Sequence, residues 1–145
     1  MRKYLVFIIA LLVTTLVVLA EDSGFTSALK SCSSYTESGT VDTSGMKVQS
    51  TKQILGWQNN KCVYKENINF SGMNTTVTCK LTKPQINELV SVMNAYSLVQ
   101  KYSGQEPDLS SPEAAQNNPV VKAWNKYLQD PSVCTMSGLD QLMLK

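Results

Sequence analysis

Cys32, Cys62, Cys79 and Cys134 constrain the fold of this chain more than any other residues. Their number is even, and no two form a C-x-x-C pair, so neither a thioredoxin-like redox motif nor a metal knuckle is present. Four such cysteines read as two disulfides in an oxidising compartment. The amino terminus gives a reason to expect one. Arg2 and Lys3 precede an apolar run of 17 residues, Tyr4 to Ala20, whose only polar side chains are Tyr4, Thr14 and Thr15. A basic start, an apolar middle and Val18-Leu19-Ala20 at the end form the layout of a secretory signal, with Val18 at minus three and Ala20 at minus one. Residues 1–20 are therefore expected to be cleaved, and 21–145 to form a single small disulfide-stapled domain, secreted or periplasmic. An uncleaved anchor is the alternative, but spanning takes about 20 apolar residues.

The charges narrow the chemistry. There is no His, which excludes a His general base, a Ser-His or Cys-His nucleophile pair and a mixed Cys/His zinc site. Arg2 and Lys3 account for the whole net charge of +2, so the chain after Ala20 is neutral and contains no Arg. It lacks the planar fork that grips carboxylates and phosphates at two points. Nothing favours nucleic acid as a partner. The Lys residues are scattered, and Lys80 with Lys83, the longest basic feature, reads as a solvated face.

Patterning gives an α+β fold. Phe25, Ala28, Leu29 and Cys32 fall at i, i+3, i+4 and i+7, one face of a short N-terminal helix over 24–32. A weak strand lies around 39–41. Met46 to Trp57, Lys61 to Phe70 and Thr75 to Thr82 then read as strands of an antiparallel meander of three or four strands. Asn59-Asn60 suits a two-residue turn, because Asn tolerates positive φ. That turn sets Trp57 opposite Cys62 and Leu55 opposite Tyr64. A four-residue loop over 69–72 would set Ile68 opposite Met73 and Cys62 opposite Cys79. The inward face is then Leu55, Trp57, Cys62, Tyr64, Ile68, Val77, Cys79 and Leu81. Val48 and Ile54 fall on the other face unless a bulge near Gly56 reconciles them.

Four cysteines allow three connectivities. This register favours Cys62–Cys79, leaving Cys32–Cys134 to tie the N-terminal helix to the tail. Glu66 also falls inward. It is either a carboxylate lining a cavity or a strand-end acid that reaches solvent or pairs with Lys.

The C-terminal half should be helical and cover the sheet. Thr82-Lys83-Pro84-Gln85 is a capping box with Pro in the first turn. Ile86, Leu89, Val90, Met93 and Tyr96 or Ser97 follow at helical spacing to about Val99. Ser111-Pro112-Glu113 begins another helix, and Asn118-Pro119 restarts or kinks it. Val120, Val121, Trp124, Tyr127 and Leu128 form a stripe that Asp130-Pro131 ends. The tail from Ser132 carries Cys134, then Leu139, Leu142 and Met143, enough for one short helical turn.

Catalytic signatures are sparse. Ser27-Ala28-Leu29-Lys30 matches S-x-x-K, without the companion elements of the acylating enzymes that use it. Trp57, Trp124, Tyr64, Tyr96, Tyr102 and Tyr127 could line a ligand groove, but aromatics at such spacing ordinarily build a core. No cofactor or metal is implied. The turn at Asn59 and Asn60 and the loop at Phe70 and Ser71 are the candidate partner surfaces.

Gly56-Trp57-Gln58-Asn59-Asn60-Lys61-Cys62-Val63-Tyr64-Lys65-Glu66, followed by Cys79-Lys80-Leu81-Thr82, resembles a group of small exported bacterial proteins. They share a Gly…Lys-Cys-Val-Tyr-Lys-Glu hairpin and a later Cys-Lys-Leu before a helix. The similarity covers roughly residues 30–100. It implies a bacterial envelope or extracellular setting and no particular activity. The expected function is thus a small exported non-enzymatic protein that binds a protein partner or ligand, meeting the membrane only transiently through its signal segment. A secreted inhibitor or effector, or a small hydrolase, is the alternative.

Overall fold

A computed structural model describes residues 23–43, 46–105, 108 and 112–138. The expected signal segment, residues 1–20, and the apolar tail residues Leu139, Leu142 and Met143 lie outside them. The chain runs α1 (Ser23–Ser31), β1 (Tyr35–Thr43), β2 (Met46–Gln58), β3 (Lys61–Phe70), β4 (Met73–Leu81), α2 (Lys83–Ser103), α3 (Pro112–Asn117), α4 (Pro119–Leu128) and β5 (Cys134–Ser137). The five strands form one antiparallel sheet in sequence order. The fold is α+β, with one more strand than the patterning indicated.

Two of the hairpins are explained by their turns. Asn59 and Asn60 both take positive φ, at 48° and 62°, and join β2 to β3 with Trp57 opposite Cys62. That twist matches the twist of the flanking strands. Gly56 (φ 96°) then carries a bulge, so Tyr64 faces Ile54 rather than Leu55. The inserted residue brings Val48 and Ile54 to the covered face, where both are buried, and takes Leu55 out of the paired row; Trp57 keeps its place opposite Cys62 but is half exposed at the end of the strand. Their expected inward placement is corrected accordingly.

The β3–β4 hairpin turns on two residues, not four. Ser71 (φ 50°) and Gly72 (φ 80°) place Phe70 opposite Met73. This moves the β3–β4 register by two residues. Cys79 now faces Tyr64, and Cys62 faces Leu81. The expected Cys62–Cys79 and Cys32–Cys134 bridges are therefore replaced by Cys32–Cys62 and Cys79–Cys134. The first joins the end of α1 to β3. The second joins directly paired residues of β4 and β5. The tail forms a strand here because it returns beside β4, whose free edge offers backbone partners. Gly138 (φ 90°) ends it where a Cβ would lie 2.1 Å from the carbonyl oxygen of Asn74.

The helices cover one face. Gln85 Oε1 accepts the Thr82 N–H at 2.8 Å, and α2 runs to Ser103, four residues beyond the expected stop at Val99, with Gly104 capping it in the left-handed region. Asn118 starts α4 afresh, its Oδ1 accepting the N–H groups of Val120 and Val121. Phe25 and Leu29 of α1, Ile86 and Leu89 of α2, and Val121 and Trp124 of α4 meet Val48, Ile54, Tyr64, Val77 and Leu81 of the sheet in one core. Phe25 stands edge-on to Tyr35 and Tyr64, and Tyr64 lies 5.2 Å from Trp124 between ring centres. The opposite face of the sheet is open. Its rows are polar, as in Ser38–Thr51–Asn67–Thr76–Ser137.

Candidate functional site

The covered face carries a charged row. Glu37 of β1, Lys52 of β2 and Glu66 of β3 are direct cross-strand partners. The period of two that buries Ile54 and Tyr64 also buries Lys52 and Glu66, which are 3% and 0% exposed. Tyr64 donates from its hydroxyl to Glu66 Oε2 at 2.7 Å. Lys52 Nζ lies 5.5 Å from the centre of the Phe25 ring. Glu66 Oε1 and Glu37 Oε2 are buried without a hydrogen-bond partner. Of the two roles the sequence left open for Glu66, reaching solvent is excluded; the acid faces a lysine deep under the helices.

Burial pushes the Glu66 carboxyl up to about 7, although the Tyr64 hydroxyl and the Lys52 charge both pull it down. Burial, with the neighbouring Glu66 charge, raises the Tyr64 phenol well above its ordinary value. The row can thus hold or release a proton near neutrality. A native state that keeps a proton the unfolded chain has lost becomes less stable as pH rises. Stability is therefore expected to fall between about pH 4.5 and about pH 7, by up to about 3 kcal/mol, and to level off above. Glu66→Gln still accepts from Tyr64 but cannot ionise, so its urea midpoint should lose most of this slope. Parallel pH profiles of the two proteins would refute the assignment.

The end of the β2–β3 hairpin is the second candidate. Leu55 and Trp57 are 47% and 45% exposed on either side of Gly56. The turn residues Asn59 and Asn60 are exposed beside them. Cys62, opposite Trp57, is tied to Cys32. The other expected partner surface lies elsewhere. Phe70 packs partly against the core and Ser71 is exposed at the far end of β3. Those two turns are about 30 Å apart at the usual rise of ten strand residues, so they form two surfaces.

Other expectations resolve more simply. Ser27 and Lys30 are both exposed on α1. Trp124, Tyr64 and Tyr127 are core residues, Tyr96 is partly buried, and Tyr102 is 84% exposed. Tyr102 belongs with exposed Leu98 and Val99 on the last turns of α2, which the sequence reading missed by stopping that helix at Val99. Lys52 was missed as well. Its signal is the bulge, since placing Ile54 inward places Lys52 inward. Among the described residues no group of three or more His, Cys, Asp or Glu side chains could hold a metal ion.

Two disulfides, and no helix among the described residues long and apolar enough to cross a membrane, are compatible with an extracellular or periplasmic protein. No protein-family model, no curated protein and no solved structure matches the chain.

Proposed function

We propose that this chain is a small exported protein of the bacterial envelope or extracellular space that binds a protein partner through the end of the β2–β3 hairpin and catalyses no reaction. The observation that carries this reading is Trp57, half exposed on a hairpin whose turn is set by two positive-φ Asn residues and whose facing residue is a disulfide. Trp is favoured at the centre of protein interfaces, and a rigid support lowers the ordering cost of contact. Leu55 adds apolar surface two residues away. The acid a small hydrolase would use, Glu66, is fully enclosed beneath the helices and beyond the reach of a substrate. An inhibitor is the same reading with an enzyme as the partner.

The test uses immobilised mature protein against the native envelope fraction. A defined partner should be retained by wild type, and Trp57→Ala should weaken it by about 30-fold, the change that about 2 kcal/mol produces. Leu98→Ser, on another exposed apolar residue, should leave it unchanged. Retention indifferent to Trp57→Ala, or a hydrolytic turnover abolished by Glu66→Gln, would sink the proposal.

A further inference from the structure

The open face of the sheet brings together lysines that are far apart in sequence. Lys61 and Lys65 occupy alternate positions of β3, and Lys80 of β4 faces Val63 between them. Lys80 is therefore diagonal to both, at roughly 7–8 Å. Val63 is the one apolar residue among the paired positions of this face, and it is buried, as expected beneath three lysine stems. None of the three lysines makes an ion pair among the described residues. The only described acid on the face is Asp42, which stands opposite Lys47 at the other end of the sheet. Positive charge is thus concentrated at one end and left uncompensated.

The rest of the face is a grid of hydroxyl and amide groups. Ser38 and Thr51 hydrogen-bond across strands at 2.9 Å, and Thr76 donates to Asn67 at 2.9 Å. These contacts fix the side chains and leave further donor and acceptor capacity on each. No paired position of the face carries an aromatic side chain, so nucleobases find no stacking platform. No apolar side chain projects from those positions to enter a bilayer. Lysines without Arg act as point charges, which suits single carboxylates spaced along a polymer. We propose that the open sheet face binds an acidic polysaccharide, with Lys61, Lys65 and Lys80 meeting its carboxylates and the row from Ser38 to Thr76 meeting its hydroxyls. This surface lies on the opposite side of the strands from Trp57, although Lys61 adjoins the same hairpin turn.

Immobilised alginate, a polyuronate, is the probe, with dextran as the neutral counterpart. Wild type should be retained on alginate and not on dextran, and should release as salt rises from about 0.1 M to about 1 M, where the screening length falls from about 10 Å to about 3 Å. Lys61→Gln, Lys65→Gln and Lys80→Gln together should weaken binding at least about tenfold. Lys30→Gln, Lys101→Gln and Lys122→Gln together should leave it unchanged. Changing only Lys61 and Lys80, both exposed, gives the same readout should the half-buried Lys65 disturb the sheet. Equal retention of the triple variant or equal retention on dextran would overturn the proposal. So would tighter binding to phosphatidylglycerol vesicles or to poly(dT).

Discussion

Replacing Cys79 and Cys134 together with Ala is expected to lower the unfolding free energy by about 4 kcal/mol, the value that chain entropy assigns to a loop of 55 residues. Ala is the right replacement, because both sites are buried and a hydroxyl there would need a partner. The position of the bridge argues that the full effect will appear. β5 has four residues and pairs only with β4. α2, α3 and α4 all lie inside the loop that the bridge closes. Cutting it frees the return of the helical layer to the sheet. Cys32–Cys62 closes a shorter separation of 30 residues and should contribute about 3.6 kcal/mol on the same basis. Urea titration of each double variant gives both numbers. A loss below about 1 kcal/mol at Cys79 and Cys134 would mean that β5 holds without its staple. Peptide mapping under non-reducing conditions should recover Cys32 with Cys62, and a Cys62–Cys79 peptide would refute the register.

Trp124→Ala should cost about 3–5 kcal/mol, the range for deleting a fully buried Trp. Trp124 is wholly buried on α4 and leans on Tyr64, so its removal opens a cavity between helix and sheet. Tyr64 is the donor to Glu66, and the cavity therefore borders the buried charged row. The variant also isolates a reporter. The chain has two Trp residues, and the survivor, Trp57, is half exposed. Fluorescence of the variant should be shifted to the red of wild type before any denaturant is added. Denaturation should then move it little, while far-UV circular dichroism follows the unfolding. Destabilisation under about 1 kcal/mol, or an unshifted spectrum, would contradict the placement of the two indoles.

Much of the architecture was legible because it depends on local rules. Asn59-Asn60 announces its turn, Thr82 to Gln85 its helix start, and Phe25 to Cys32 its buried face. The failures share one cause. Register is cumulative, and one unrecognised insertion or a turn misjudged by two residues moves everything downstream. Ser71-Gly72 makes a tighter turn than a four-residue loop over 69–72, and this alone separates Cys62 from Cys79. The bulge at Gly56 decides whether Lys52 or Leu55 is enclosed, and hence whether Glu66 faces a lysine. The basic cluster was invisible for a related reason. Lys61, Lys65 and Lys80 become neighbours only once β3 and β4 are paired. β5 left little trace, since a four-residue edge strand has too few residues to show a period.

The bridges pair the first cysteine with the second and the third with the fourth. Such an order is neither nested nor interleaved. A chain that enters an oxidising space amino end first meets each correct partner as soon as it arrives. Cys32 would meet Cys62 before Cys79 arrives. Cys79 is then the sole free thiol until Cys134 follows. For a chain exported in that way, order of arrival favours the native pairing over the two alternatives.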